Sequence, residues 1–396
     1  MKRLLLTALL AISLIPVMRA ENAETAVDTS QAALGEIEPI VSNTASWNTT
    51  RDKGYWWRAL KHMKLDVNDT TIMYPGLIDM GLKIYRWADH TFNSYDTAYV
   101  VGASTKKFKL MLKNNNFYDG YAGHLTTERL PFRMNSNMRS SFGFYMGYMA
   151  VSLGYMLSIN SLLNHEKVHT RRLDFSFNCS RIGFDFYYLK DDAKTNLHRL
   201  GDYKHFGLKD VYQYSGIKRE FYGVYANYFF NHLHYAQPAA YGFSKIQKKS
   251  AGSFIVGLHG THQDIIIDFS ALDDAPSTIA QQITDVLPDS MRVFRFRHRE
   301  LSLLFGYGYS WVFHHHWLYN CTLTPGIGYI HTFPNSVDGK RNSIGFNYRV
   351  KMALVRYAGN WFYGLHFFVT GHWYLSHNHS LYNDLGDLNA TVGFRF

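Results

Sequence analysis

The sequence predicts an all-β protein, a transmembrane antiparallel β-barrel of about twelve strands, and three observations lead to it. From residue 106 onward, apolar and polar residues alternate with a period of two, as in strands between lipid and a wet interior. No run of 18 or more apolar residues follows the N-terminal segment, which excludes helical membrane spans. Aromatic residues make up 16% of the chain and charged residues only 18%, a balance typical of a barrel with an apolar outside.

The first 94 residues predict two segments before the barrel. Residues 1–20 resemble a secretory signal peptide, because Lys2 and Arg3 precede an apolar stretch that ends at Ala20. Residues 21–94 predict a periplasmic leader with one amphipathic helix between residues 77 and 92. That helix is expected either to pack under the barrel mouth or to lie on the membrane surface. The barrel itself is expected to span residues 95–396.

Twelve strands follow from the alternation. They are expected at residues 106–113, 139–146, 151–159, 171–179, 182–189, 217–230, 251–260, 301–312, 317–330, 343–357, 361–374 and 388–396. Counted back from the C-terminus, alternate connections are short, as periplasmic turns are in outer-membrane barrels. An even strand number then puts both termini in the periplasm. A barrel of this kind is expected in the outer membrane of a Gram-negative cell. The last strand ends in Phe396, an aromatic C-terminus suited to recognition by the barrel-assembly machinery.

One connection breaks the short-turn rule, because residues 231–250 form a long segment on the side of the short turns. This segment contains YAQPAAY at residues 235–241 and leads into QKKSAGSF at residues 247–254, while YDTAYV occupies residues 95–100. These motifs resemble the uncharacterised "domain of unknown function 4421" family of Bacteroidetes outer-membrane β-barrels. The resemblance covers about residues 95–396 and implies a barrel of unknown activity, so it assigns no site residues.

Charged and polar residues on the inward face of the predicted strands are candidates to line the lumen. They are Lys107, Lys109, Lys113, Asp174, Asp185, Arg349, Lys351, His366 and Arg395. One hypothesis is a network of paired charges that holds a narrow barrel closed. The other is a basic-biased pore or pocket that attracts an anionic solute.

Two further basic groups have alternative interpretations. Residues 231–250 could fold into the lumen as a plug, with Lys245, Lys248 and Lys249 near Asp174 or Asp185, or could form an ordered periplasmic turn. A second group at the outer end of the eighth strand could bind lipopolysaccharide phosphates, since guanidinium forks match phosphate oxygens, or could simply be solvated. Its members are Arg295, Arg297 and Arg299.

The formal net charge of +10 comes from scattered residues, which argues against nucleic acid and favours anionic lipid or solute. No nucleophile elbow or metal-ligand spacing is present, so the sequence indicates no catalytic residue, metal or cofactor. The leading hypothesis is transport or passive permeation of a small, anionic solute. The alternatives are a closed structural or surface-interaction barrel and a lipid-modifying enzyme. The oligomeric state is left open.

Overall fold

A computed structural model of the chain describes residues 54–61, 72–103, 108–125, 130–148, 151–158, 171–192, 194–205, 211–270, 275–287, 292–314, 316–376 and 378–396. The predicted signal peptide and Lys107 lie outside these residues. The chain divides into two compact units, residues 1–91 and residues 92–396.

The first unit contains two described helices, α1 at Tyr55–Lys61 and α2 at Gly76–Phe92, although α2 ends one residue into the second unit. Helix α2 occupies the segment in which the sequence predicts an amphipathic helix. Its apolar residues Met80, Ile84 and Trp87 are more than half exposed. Neither α1 nor α2, nor any other described helix, has the length and apolar character needed to cross a membrane.

The second unit is dominated by long antiparallel strands. They are β1 Val100–Gly102, β2 Phe108–His124, β3 Pro131–Ser136, β4 Arg139–Tyr148, β5 Val151–Ser158, β6 Arg171–Asn178, β7 Ile182–Asp191, β8 Thr195–Leu200, β9 Tyr203–Lys204, β10 Gln213–Tyr214, β11 Ile217–Phe229, β12 Lys245–Gln247, β13 Ala251–Asp268, β14 Val293–Phe313, β15 Trp317–Thr332, β16 Asn342–Ala358, β17 Trp361–Leu375 and β18 Ser380–Arg395. Two helices of the described residues interrupt them, α3 at Gln237–Tyr241 and α4 at Ser277–Val286.

The strands close into a ring at β2. The first part of β2 pairs with β4, and nearly the whole of β2 pairs with β18 on its other side. Between them the order runs β4, β5, β6, β7, β11, β13, β14, β15, β16, β17, β18, so twelve of the described strands form the ring. All neighbours are antiparallel, as in a closed membrane-spanning sheet. The shortest junction among the described strands is β5–β6, where only Val151 with Phe177 and Ser152 with Ser176 pair. The predicted twelve-stranded barrel is therefore confirmed.

Strands β2 and β18 are longer than the alternation predicts. The alternation predicts them at residues 106–113 and 388–396, and it predicts a long loop at residues 376–387. In the structure the two strands pair continuously from Lys109 and Arg395 to His124 and Ser380, and the loop shortens to residues 376–379. Runs of asparagine, aspartate and glycine hide the period of two here, whereas backbone pairing does not depend on side-chain polarity.

The polarity of the two barrel faces inverts partway along β14. Leu301, Leu303 and Phe305 are exposed on the outer face, as the sequence predicts, and Ser302 is buried inside. Nearer the start of the strand, arginines occupy the outer face, while Phe294, Phe296 and His298 are buried. An apolar outer face suits hydrocarbon and a polar outer face suits water, so the membrane boundary lies between residues 299 and 301.

The apolar part of β14 has the height of a membrane. From Leu301 to Trp311 there are ten steps of about 3.4 Å, which at a strand tilt of about 40° rise about 26 Å, close to the apolar band of about 25 Å. Aromatic rings cluster at the far end of the band. There Phe313 stacks on Trp317 at 6.3 Å and Trp361 packs on Phe394 at 5.0 Å. These rings are typical of an interfacial girdle.

The connections differ between the two ends of the ring. At the short-turn end they are residues 149–150, 179–181, 314–316 and 359–360, together with the long segment at residues 230–250. At the long-loop end, β3, β8, β9, β10 and α4 lie within the connections. Strand β3 pairs with the C-terminal part of β2, and β8 pairs with β3, so these strands extend the sheet beyond the ring.

The lumen at the long-loop end is filled by a large apolar core, which the sequence analysis missed. Inward residues such as Phe221, Ile265 and Phe296 pack there with Phe132 of β3 and Ile283 of α4. The expectation of a polar interior thus holds only where hydrocarbon lies outside the wall. Beyond the membrane, water is outside, so burying apolar side chains inside the sheet is favourable.

A charge on the outer wall should test the location of the apolar band. Phe305 is 55% exposed near the middle of the band on β14. We expect Phe305→Arg to destabilise the folded barrel by about 2–4 kcal/mol, since Arg at the bilayer midplane is costly. Phe305→Leu should cost less than about 1.5 kcal/mol. Urea unfolding in phospholipid vesicles measures both, and equal midpoints for the two variants would contradict this placement.

Candidate functional site

The long segment at the short-turn end enters the ring and forms a plug, defined here as residues 235–247. Its core is helix α3, where Gln237 and Pro238 start the helix and the fixed φ of proline suits the first turn. Ala236, Ala239 and Ala240 are fully buried. These small residues let the helix backbone approach the inner wall closely, so wall side chains can reach its carbonyl groups.

Four wall side chains from four strands bind the plug backbone. Tyr357 Oη donates to the carbonyl of Ala239, and His366 Nε2 donates to Ala240 at 3.0 Å. Lys109 Nζ donates to Gly242 at 2.5 Å, and Arg395 Nη2 donates to Phe243 at 2.8 Å. The carbonyls at the end of a helix lack intrahelical partners, and cationic donors satisfy them well. Three residues that the sequence offers as pore lining therefore hold the plug.

The end of the plug helix is tightly packed. Phe243 has φ of +53°, an uncommon conformation for a residue with a side chain, and it follows the helix C-cap Gly242. Its ring stacks on Phe362 at 4.5 Å. A Cβ at Gly364 would lie 2.6 Å from the Phe243 ring, so only glycine fits beneath it. Packing and the Arg395 hydrogen bond together hold the strained backbone in place.

Tyrosine hydroxyls attach the plug to β15. Tyr241 Oη donates to Asn320 Oδ1 at 2.8 Å, and Asn320 Nδ2 donates to Tyr235 Oη at 3.0 Å. Inside the plug, Gln247 Oε1 accepts from the backbone N–H of Ala236 at 2.9 Å. Strand β12 of the plug pairs with β1, and Gln247 lies opposite Val100, the last residue of the YDTAYV motif. The QKKSAGSF and YDTAYV motifs of the family resemblance are thus in direct contact.

The three lysines of this segment do not approach Asp174 or Asp185. Lys245 Nζ lies 3.6 Å from the centroid of the Tyr95 ring. Lys248 Nζ donates to the carbonyl of Thr97 at 3.3 Å, and Lys249 Nζ lies 5.1 Å from the Tyr99 ring. The expected proximity to these aspartates is wrong because Lys245 lies in β12 and Lys248 and Lys249 follow it directly, and β12 pairs with β1.

Above the plug lies a polar chamber of about 230 Å³. Its floor is Tyr241, Gly242 and Phe243 of the plug, and its walls include most of the sequence-predicted lumen residues. Those on the wall are Lys113, Asp174, Asp185, Arg349, Lys351 and His366. The predicted residues Lys109 and Arg395 lie lower, buried against the plug.

Most charges in the chamber are paired. Asp185 accepts from Arg349 Nη1 at 2.8 Å and from Ser176 Oγ at 2.8 Å, and lies 3.4 Å from Lys351 Nζ. Arg172 bridges Asp174 and Asp387, at 2.6 and 2.5 Å. Lys113 is different, because no carboxylate of the described residues lies within 4.0 Å of it. Its ammonium instead lies 4.2 Å from the Tyr145 ring centroid.

A buried cluster of two arginines and two aspartates, the loop-end charge cluster, lies under the apolar core. Arg219 Nη1 binds Asp119, and Arg219 Nη2 binds Asp191. Arg139 also contacts both carboxylates, with Nη2 2.8 Å from Asp119. Tyr121 Oη donates to Asp119 at 2.8 Å. The charges balance and the four side chains are at most 10% exposed, so the cluster joins β2, β4, β7 and β11 across the top of the chamber.

A second polar network runs along the inner wall from β13 to β17. Glu300 Oε1 accepts from Ser302 Oγ and from Asn347 Nδ2, both at 2.6 Å. His372 Nδ1 lies 3.4 Å from Glu300 Oε2, and its ring is 5.2 Å from that of His259. All of these side chains are buried. The network therefore connects neighbouring wall strands through buried hydrogen bonds.

The loop between β15 and β16 carries an aspartate that ties two connections together. Asp338 accepts from His379 Nδ1 at 2.8 Å and from Tyr374 Oη. Burial raises the pKa of Asp338, but the hydrogen bonds from His379 and Tyr374 outweigh it and hold the pKa below its usual value. This carboxylate therefore stays charged at neutral pH and fixes two loops at the rim.

The predicted arginine group lies on the outer wall of β14, beyond the apolar band. Arg295 makes a bidentate pair with Asp264, at 2.9 and 2.6 Å. Arg297 Nε lies 3.5 Å from the same carboxylate. Arg299 has no such partner among the described residues, and its guanidinium lies 5.2 Å from the Phe333 ring centroid.

Sequence reasoning missed the loop-end charge cluster and Glu300. Asp119 lies in the part of β2 that the alternation did not reach, and Arg219 lies in β11, where aromatics on both faces hid the inward side. Glu300 precedes the predicted start of its strand by one residue. If the eighth predicted strand were extended backward through the alternating arginines, Glu300 would be recognised as an inward residue. The pairing of Arg219 with Asp119 could not be found in this way, because it depends on closure of the ring.

Ring closure, the apolar outer band and the aromatic girdle define the class: the protein is an outer-membrane β-barrel. The chain belongs to the family described as a domain of unknown function (DUF4421), whose model matches residues 94–396. No curated protein matches the chain.

Several solved barrels share low structural similarity with the chain. They include the outer membrane protease OmpT from Escherichia coli (7% identity, 73% of this chain and 97% of that chain, TM-score 0.35), Neisserial surface protein A (9%, 73% and 97%, 0.23) and the toluene transporter TodX from P. putida (7%, 74% and 91%, 0.19). All three TM-scores are below 0.5, so they indicate no activity for this chain.

The loop-end charge cluster should be sensitive to the loss of one charge. We expect Arg219→Met to destabilise the barrel by about 3–5 kcal/mol, because it leaves one buried negative charge in excess. Adding Asp191→Leu should restore at least half of that loss, since Arg139 and Asp119 then remain as a balanced pair. Guanidinium unfolding in micelles measures both variants. An Arg219→Met variant within 1 kcal/mol of wild type would contradict the proposed charge balance.

Proposed function

We propose that the protein is a closed outer-membrane barrel with both termini in the periplasm and the long loops outside. Its role is structural or surface-interacting, and it is not a passive pore. The observation that carries this proposal is that the lumen is filled at both ends. The plug occupies the short-turn end, and the apolar core with the loop-end charge cluster occupies the long-loop end. The orientation follows the general rule that outer-membrane barrels have short periplasmic turns.

The two seals differ in kind. The plug is one short segment held by hydrogen bonds from wall side chains, which a local movement could break. The long-loop end is built like the core of a soluble domain, with β3, β8 and α4 packed on inward wall residues. Opening it requires exposing many large apolar side chains to water, at about 25 cal/mol for each Å². A closed state therefore does not depend on the plug.

A second function, passage of a small anionic solute after plug displacement, has one observation in its favour. The chamber holds Lys113, whose ammonium lies over an aromatic ring with no described carboxylate within 4.0 Å, and the lining arginines and lysines outnumber the aspartates by four to three. A small anion would be attracted to such a cavity. This function additionally requires the long-loop end to open.

Planar-bilayer conductance of the refolded protein separates these functions. We expect no stable channels from wild type, and none after residues 236–244 are replaced by a Gly/Ser linker of equal length, because the long-loop end stays sealed. Heat-modifiable migration on gels checks that the variant is folded. Should it not fold, the milder pair Tyr357→Phe with His366→Leu removes the hydrogen bonds that these two side chains donate to the plug and keeps the segment.

Three outcomes would overturn the closed-barrel proposal. Channels in wild type would mean that the protein is a pore. Channels only after plug release, with an anion preference that Lys113→Gln removes, would establish plug-gated anion passage instead. Channels whose ion selectivity is unchanged by Lys113→Gln would also reject the closed barrel, and they would leave the chamber without an assigned role.

A further inference from the structure

A groove of about 470 Å³ runs along the outer wall across β11, β13, β14 and β15. Strand register arranges its outward residues in two rows. The first row, nearer the membrane centre, is Val224, Gly260, Leu301 and Tyr329. The second row, one step toward the long loops, is Tyr222, His262, Arg299 and His331. The groove is thus apolar on one side and polar on the other.

Gly260 opens a slot in the apolar row. A Cβ built there meets no atom within 4 Å, so the space above the glycine is empty. Leu301 lies next to it on β14 and Tyr329 lies beyond Leu301 on β15, and these two side chains are 62% and 56% exposed. The next row toward the membrane centre contains Leu258 and Ile327, which are also exposed. A lipid chain can lie in this slot with apolar side chains along both sides.

The polar row has hydrogen-bonding groups that no described residue uses. His262 is more than nine-tenths buried, and its Nδ1 atom has no partner among the described residues. His331 Nδ1 contacts Asn342 Oδ1 at 2.7 Å, which leaves Nε2 for a ligand. Arg299 is exposed and pairs with no described carboxylate. Arg295 and Arg297 lie farther out and share Asp264, so three arginines face one aspartate.

The height of the polar row matches that of lipid phosphates. Arg299 lies one row, or about 6.6 Å along the strand, beyond the apolar band that begins at Leu301. A guanidinium at this level can bind a phosphate through two parallel hydrogen bonds. The excess cationic charge farther out would suit a ligand with more than one negative group.

We propose that this groove binds the lipid A part of lipopolysaccharide, a phosphorylated and multiply acylated glycolipid. One phosphate binds Arg299, His262 and His331, and one acyl chain fills the slot at Gly260. This inference rests on the proposed orientation, which puts the long loops in the outer leaflet. The sequence predicts a phosphate site made of Arg295, Arg297 and Arg299. The proposed site keeps only Arg299 of these and adds His262, His331 and the apolar slot.

Native mass spectrometry of the folded protein in detergent, with purified diphosphoryl lipid A as the probe, tests the proposal. We expect Arg299→Gln to weaken binding about tenfold or more, because a charge-assisted contact is lost. Gly260→Val should weaken binding comparably by filling the slot, without changing any charge and with room for its Cβ. Arg356→Gln is the matched control, since Arg356 lies on the outer face near the short-turn end.

The remaining outcomes distinguish the source of the phosphate. Equal binding of phosphatidylglycerol, with the same dependence on Arg299, would replace the lipid A assignment by a general anionic-lipid surface. If millimolar inorganic phosphate alone displaced lipid A, the acyl chain would contribute little to binding, and the acyl slot would be rejected as part of the site. Unchanged binding in both Arg299→Gln and Gly260→Val would overturn the site. None of these binding results bears on planar-bilayer conductance, which tests the closed-barrel proposal separately.

Discussion

The constraint on which this structure depends is that each wall strand meets hydrocarbon over part of its length and water over the rest. Along β14 the outer face is apolar from Leu301 to Trp311 and carries arginines before it, and the inner face changes in the opposite sense. Because a strand has only two faces, the solvent outside decides which residues are inside. A polar lumen in the membrane and an apolar core beyond it are therefore one consequence of the same rule.

This rule explains why the barrel interior is occupied rather than open. Lumenal charges in the membrane need partners, and most of those described, with Lys113 as an exception, find them in one another or in the plug carbonyls. Lys109, His366 and Arg395 donate to the plug, while Asp185 pairs with Arg349 and Lys351. Beyond the membrane, the wall has apolar residues to bury, and β3, β8 and α4 supply the other half of that core.

The sequence predicts the ring well because its signal is local. A period of two in Phe142, Phe144 and Met146 reports an outer face without knowledge of any neighbour, and these residues are exposed as expected. Strands fail to be recognised where the period is interrupted, as in the asparagine run of β2. The partners of the lumenal residues are not local, since Arg219 and Asp119 meet only across the closed ring. The unusual length of residues 231–250 marks the segment but leaves a plug and an ordered turn as alternatives, and the partners of its lysines depend on the pairing of β12 with β1.

The most direct measurement of the polarity inversion is an accessibility scan of the outer face of β14. Spin labels at residues 295, 297, 299, 301, 303, 305, 307, 309 and 311, in a background with Cys179 and Cys321 replaced by alanine, report contact with oxygen in lipid or with a water-soluble nickel complex. The expected result is water exposure up to residue 299 and lipid exposure from residue 301 to 311. Water exposure at residues 303–307, or lipid contact at residue 295, would contradict the membrane position from which the remaining conclusions follow.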